Sequence, residues 1–215
     1  MANQPTKGRQ PHSLEFLLAE FNNLNDSFLR NEELGERRVN FFITLTTAIV
    51  AALAAVWKVA SDTVDPIFFF FGLVLVFLFG AVTLVRIIRR NLVTHEYLRS
   101  LGRIRRYFVD MDPKIQLFLP YPPCDDRPQR KKEWKDLWRL GTGGLVEMVS
   151  LVNSFILAAI FMLAGRCYPW WVVVLFGLIG FVAAWIGQFR YVMYRYEQAK
   201  KKISETIKFP CPNGD

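Results

Sequence analysis

Four stretches of this 215-residue chain carry no charged side chain: Asn40 to Trp57, Pro66 to Val85, Met148 to Gly165 and Cys167 to Phe189. Each is close to the roughly 20 residues that a helix rising 1.5 Å per residue needs to cross a 30 Å hydrocarbon layer. Lipid offers a peptide group no hydrogen-bond partner, so a spanning segment has to satisfy its own backbone, and a helix does so within one segment. The second run, PIFFFFGLVLVFLFGAVTLV, is the clearest. Buried helices of a large soluble protein are the competing reading, but a chain this short has too little polar surface to cover four of them. Composition agrees: 52% of residues are apolar, 19 are Phe, and they sit in blocks. The expected fold class is all-α, a polytopic membrane helical bundle of four transmembrane helices with cytoplasmic helical extensions.

The segments follow from these runs. Residues 1–39 read as a cytoplasmic N-terminal amphipathic helix and 40–90 as a first transmembrane hairpin. Residues 91–144 read as a cytoplasmic helix, a Pro-rich loop and an interfacial Trp helix. Residues 145–190 form a second hairpin, and 191–215 a cytoplasmic C-terminal helix and tail. The polar, charged start predicts no cleaved leader, with the first span acting as a signal anchor.

Charge sets the expected orientation. All of the 27 Lys and Arg residues except Lys58 and Arg166 fall on one side of these four spans. The positive-inside rule makes that side cytoplasmic and places both termini there. Trp57, Trp170 and Trp171 then mark the outer interface, and Tyr191, Tyr194 and Tyr196 the inner one. The basic groups Arg86, Arg89, Arg90, Arg103, Arg105 and Arg106 could contact nucleic-acid phosphates. Beside a membrane, topology and anionic lipid headgroups explain them more simply, so lipids are the expected partner and nucleic acid is not.

Outside the spans, Leu14, Leu17, Phe21, Leu24 and Phe28 recur at heptad-like spacing on an amphipathic helix. Val93, Tyr97, Leu101, Ile104 and Phe108 make a second stripe beyond the second span. The two stripes suit antiparallel pairing, within one chain or between chains. Prolines in FLPYPPCDDRP predict an irregular, extended stretch between Pro113 and Pro128. In RKKEWKDLWRL, Trp134, Leu137 and Trp138 share one face while basic residues surround the other, a pattern suited to the membrane interface. Trp134, Trp138, Trp170 and Trp171 are the expected interfacial anchors.

Chemistry-bearing residues are sparse. Glu147, Ser150, Asn153 and Ser154 bring polar groups into the third span, where they could line an ion path or serve as interhelical hydrogen-bonding groups. Thr44, Thr47, Ala48, Ala51 and Ala55 in the first span are small enough for close helix approach, as are Gly177, Gly180, Ala184 and Gly187 in the fourth. Cys124, Cys167 and Cys211 lie far apart with no CxxC or metal-ligand spacing, so free thiols are expected, with no intrachain disulfide and no metal. No phosphate-binding loop, dinucleotide fingerprint or HExxH motif is present. No catalytic residue and no cofactor are expected, and the chain reads as a non-enzyme.

The runs NEELGERRVNFFITLTTAIVAALAAVW and LVTHEYLRSLGRIRRYFVD resemble the SLATT group of bacterial membrane effectors and its four-span relatives, over roughly the first half of the chain. The resemblance implies a multi-pass protein of the bacterial inner membrane that self-associates and permeabilises the membrane on a cytoplasmic, nucleotide-linked signal in antiviral defence. This chain adds a second pair of spans. The alternative expectation is a membrane-anchored module that recruits a soluble cytoplasmic partner without forming a pore.

Overall fold

The computed structural model describes residues 10–60, 63–126 and 144–211, and these are all-α. Four long helices dominate: α1 (Gln10–Ala60), α2 (Pro66–Met111), α3 (Leu145–Ala164) and α4 (Trp170–Ser204). All four are long and apolar enough to cross a membrane. The sequence marks their ends. Asp65 precedes Pro66, and its carboxylate accepts from the Ile67 amide at 2.9 Å. A capping carboxylate followed by a proline whose missing N–H costs nothing is a strong helix start. Between α3 and α4, Gly165, Arg166 and Tyr168 close the turn by donating to Phe161, Leu163 and Gly165.

The described chain divides into two units. One comprises residues 34–91 and 131–198, which carry the four apolar runs. Its core joins all four helices: Val39 and Phe42 from α1, Leu84, Ile87 and Ile88 from α2, Val146 and Val149 from α3, and Val192 from α4. A second cluster, Val76 with Ile156 and Ile160, continues the α2–α3 contact. Gly35 lies where the Arg90 guanidinium occupies the space of a missing Cβ, which accounts for a glycine inside an uninterrupted helix. The outward face is apolar as well: Phe71, Leu75 and Leu78 of α2, Phe155 of α3 and Leu178 of α4 are exposed. The enclosed face instead carries Thr46, Thr83, Ser150, Asn153 and Ser154. Apolar side chains outside, with the few polar groups of the spans enclosed, is the arrangement a hydrocarbon solvent selects.

The other unit comprises residues 1–33, 92–130 and 199–215. Here the α1 and α2 stripes meet within one chain. Asn31 donates to Thr94 at 2.9 Å and Thr94 donates to Glu32 at 3.0 Å. At the other end Arg105 lies over the Phe21 ring, 5.8 Å from its centroid. Positions rising on α2 while falling on α1 define an antiparallel pair. Leu101 and Ile104 are buried, and Leu14, Leu17, Phe21, Leu24, Phe28, Val93, Tyr97 and Phe108 are half-buried. Sequence alone left intrachain and interchain pairing open; in this structure the stripes pair within the chain.

The stretch after Pro113 is not wholly irregular. A 3-10 helix runs over Pro113–Phe118, begun by Asp112, whose carboxylate accepts from the Lys114 amide at 3.0 Å. Proline at the first position suits this short turn for the same reason it suits an α-helix start.

Candidate functional site

The densest polar constellation lies in the unit built from residues 1–33, 92–130 and 199–215, and it centres on Asp125. Beyond α4, the amide of Thr206 bonds back to the Ile203 carbonyl, and the tail then lies beside residues 124–126. Arg99 and Arg103 stand one helical turn apart on α2 and face this junction. Gly102, between them, has the Cys124 carbonyl where a Cβ would sit, so only glycine lets the loop backbone lie this close to the helix.

Asp125 is fully buried, at 0% exposure. Its carboxylate accepts from Arg103 Nε at 2.7 Å, from the Phe209 amide at 2.9 Å and from the Lys208 amide at 3.1 Å. Its own amide donates to the Phe209 carbonyl at 3.0 Å, and its carbonyl accepts from Arg99 Nε at 2.8 Å. Arg99 also donates to Thr206 Oγ1 and Arg103 to the Thr206 carbonyl. Burial alone pushes the Asp125 carboxyl up. The Arg103 hydrogen bond, the Phe209 and Lys208 amides and the Arg103 charge together outweigh it and hold the group below the ordinary carboxylate range. The result is a clasp in which one buried carboxylate ties loop, helix and tail.

Beside it, Cys124 and Cys211 are joined by a disulfide across 87 residues of sequence. This corrects the expectation of three isolated thiols. The return of the tail past α4 brings the two cysteines together, a contact that spacing along the chain does not encode. Asp126 accepts from the Cys211 amide at 2.8 Å. Cys167 remains free and exposed.

The residues singled out from sequence distribute unevenly. Of the basic group, Arg103 belongs to the clasp, Arg105 stacks over Phe21 and Tyr121, and Arg106 pairs with Asp110 at 2.9 Å. Arg86 and Arg89 are exposed, and Arg90 is half-buried against Gly35 and donates to Asn91. In the third span Ser150 and Ser154 are buried and bond to each other along the helix, Ser154 Oγ donating to the Ser150 carbonyl at 2.8 Å. Asn153, 1% exposed, presses its carboxamide against Gly80 of α2, and neither carboxamide atom finds a hydrogen-bond partner among the described residues. Glu147 is half-buried in the first turn of α3. Trp170 and Trp171 are exposed at the start of α4. Trp134, Leu137 and Trp138 lie outside the described residues.

Sequence reasoning passed over Arg99, Gly102, Asp125, Asp126 and the cysteine pair. The available signal was the i, i+4 arginine pair around a glycine together with the acidic pair after Cys124. No family model, curated protein or solved structure matches the chain.

Proposed function

We propose that the chain is a self-associating, non-enzymatic membrane effector that permeabilises its membrane. Its termini and Asp125 clasp lie on the cytoplasmic side, as the one-sided distribution of Lys and Arg favours. The observation that carries self-association is the small-residue face of α1. Thr44, Thr47, Ala48, Ala51 and Ala55 are all exposed. Next to them a groove of about 440 Å³ runs along Thr47, Ala51, Ala54, Phe155 and Ala159. In lipid, close backbone approach along small side chains is a principal drive for helix association.

The buried Asn153 supports permeation. An amide with no partner inside an apolar bundle is costly, and a second arrangement that hydrates it would be favoured on that account. The resemblance to the SLATT effectors points the same way and adds a nucleotide-linked trigger in the bacterial inner membrane.

Two measurements test the reading together. An Ala48→Cys variant is expected to form an oxidative dimer in native membranes, and induced expression is expected to collapse the membrane potential reported by a voltage-sensitive dye. A monomer in lipid with an undisturbed potential overturns the proposal. A second reading, an anchored recruiting module, draws on Leu117 and Phe118, 85% and 82% exposed on the 3-10 turn. Stoichiometric crosslinking of a soluble partner at those residues, with no ion leak, favours it instead.

A further inference from the structure

We infer that Cys124, Cys211 and Asp126 form a binding site for a thiophilic divalent cation, Zn²⁺ being the fitting case, whenever the cysteine pair is reduced. Donor atoms of these three side chains lie within 4.8 Å of one another. Cys124 is 2% exposed, while Asp126 and Cys211 are half-buried. An independent observation points to a cation. Asp126 Oδ2 is engaged by the Cys211 amide, but its Oδ1 is buried and meets no hydrogen-bond donor among the described residues. A carboxylate oxygen withdrawn from water with nothing to satisfy it is expensive, and two sulfurs beside it complete a donor set for a positive ion.

The chemistry fits zinc. Structural and catalytic zinc sites take thiolate at about 2.3 Å and carboxylate at about 2.0–2.2 Å, which sets neighbouring ligands roughly 3.5 Å apart. Three protein donors leave a fourth position for water. Reduction by a low-molecular-weight thiol breaks the S–S bond by exchange: two external thiols become one external disulfide, and their two protons pass to Cys124 and Cys211. Binding one Zn²⁺ then releases those two protons as both sulfurs become thiolates, and the Asp126 carboxylate completes the set. The disulfide and the metal site are two states of the same sulfurs, and each joins the tail to the loop. Which state is occupied follows the compartment. The inference rests on the cytoplasmic placement proposed above, because reducing conditions keep cytoplasmic thiols reduced.

The surrounding hydrogen bonds suit either state. Asp125, adjacent in sequence to both Cys124 and Asp126, is held by Arg103 and the tail amides, so the loop is positioned before any ion arrives.

The test uses the full chain in detergent, reduced, stripped with a chelator and titrated with Zn²⁺ against a chromophoric zinc indicator. One equivalent per chain is expected, with two thiols protected from maleimide and two Zn–S distances in the X-ray absorption spectrum. Asp126→Asn, which keeps both sulfurs, is expected to weaken binding at least tenfold, and Cys211→Ser at least a hundredfold. Reduced wild-type chain whose thiols stay fully reactive in excess Zn²⁺ overturns the inference. So does wild-type affinity in Asp126→Asn. Failure of the orientation reads out separately: an impermeant maleimide would then reach Cys124 and Cys211 in intact, reductant-treated cells. Rapid acid-trapping that recovers the pair as a disulfide from growing cells overturns the metal-bound state as the one occupied in the cell.

Discussion

The carboxylate of Asp125 accepts a hydrogen bond from Arg103 Nε at 2.7 Å, the two residues standing 22 positions apart and the acid fully enclosed while the arginine keeps partial contact with solvent. The same carboxylate takes two amide N–H groups from the tail, more than 80 residues further on. One acid therefore holds together three segments that are distant in sequence.

Removing that acid should loosen all three. Asp125→Ala strips Arg103 and two amides of their acceptor at once, and deleting one partner of a buried, hydrogen-bonded charge is among the more destabilising single changes. A loss of about 2–4 kcal/mol is expected, measured as a drop in thermal midpoint in detergent. Faster proteolysis of the tail at Lys208 should accompany it. An unchanged midpoint would mean the clasp contributes nothing to stability.

Acid should act through the same group. Its folded pKa is lowered, so its contribution is complete above the unfolded value of about 3.9 and is lost as pH falls through the lower folded value. Thermal stability of the wild type should fall below about pH 4 more steeply than that of Asp125→Asn, which has no such carboxyl to protonate. Parallel curves for the two proteins would contradict the assignment.

Two glycines should respond oppositely to alanine. At Gly102 a Cβ would collide with the Cys124 carbonyl, a backbone atom that cannot rotate away. Gly102→Ala is expected to displace residues 119–126 and to lower both the thermal midpoint and the yield of the Cys124–Cys211 bond. At Gly187 a Cβ meets no neighbour among the described residues, so Gly187→Ala should be neutral or stabilising by up to about 1 kcal/mol through helix propensity. Equal effects at both sites would refute the close approach.

Orientation is open to a labelling experiment. Cys167 is free and exposed in the turn between α3 and α4. With cytoplasmic termini, an impermeant maleimide should modify Cys167 in intact cells, and Cys124 and Cys211 only after lysis, with a chelator and a reductant added to free both sulfurs. The opposite pattern would invert the topology.

Much of the architecture was legible along the chain. Asn40 to Trp57 and its three counterparts announced helices through length and lack of charge, both local properties that no partner is needed to read. Leu101 and Ile104 stood out by their spacing alone, and they are buried. The clasp was harder to see. Arg103 looked like an ordinary member of a basic group, Arg99 did not stand out at all, and Asp125 was one acid in a proline-rich loop. Nothing within a turn of either reveals the other.

By itself, then, the sequence determined four membrane-length apolar helices and the side of the bundle on which positive charge collects. Hydrocarbon thickness and helical rise act on one segment at a time, so a linear reading captures them. Only the tertiary structure decided that the two apolar stripes outside the spans pair within one chain, that Asn153 turns inward onto Gly80, and that Cys124 meets Cys211. The cysteine contact exists because the tail leaving α4 doubles back beside the loop that follows α2. The free energy of all three contacts depends on burial shared between distant segments, which no single stretch of residues carries.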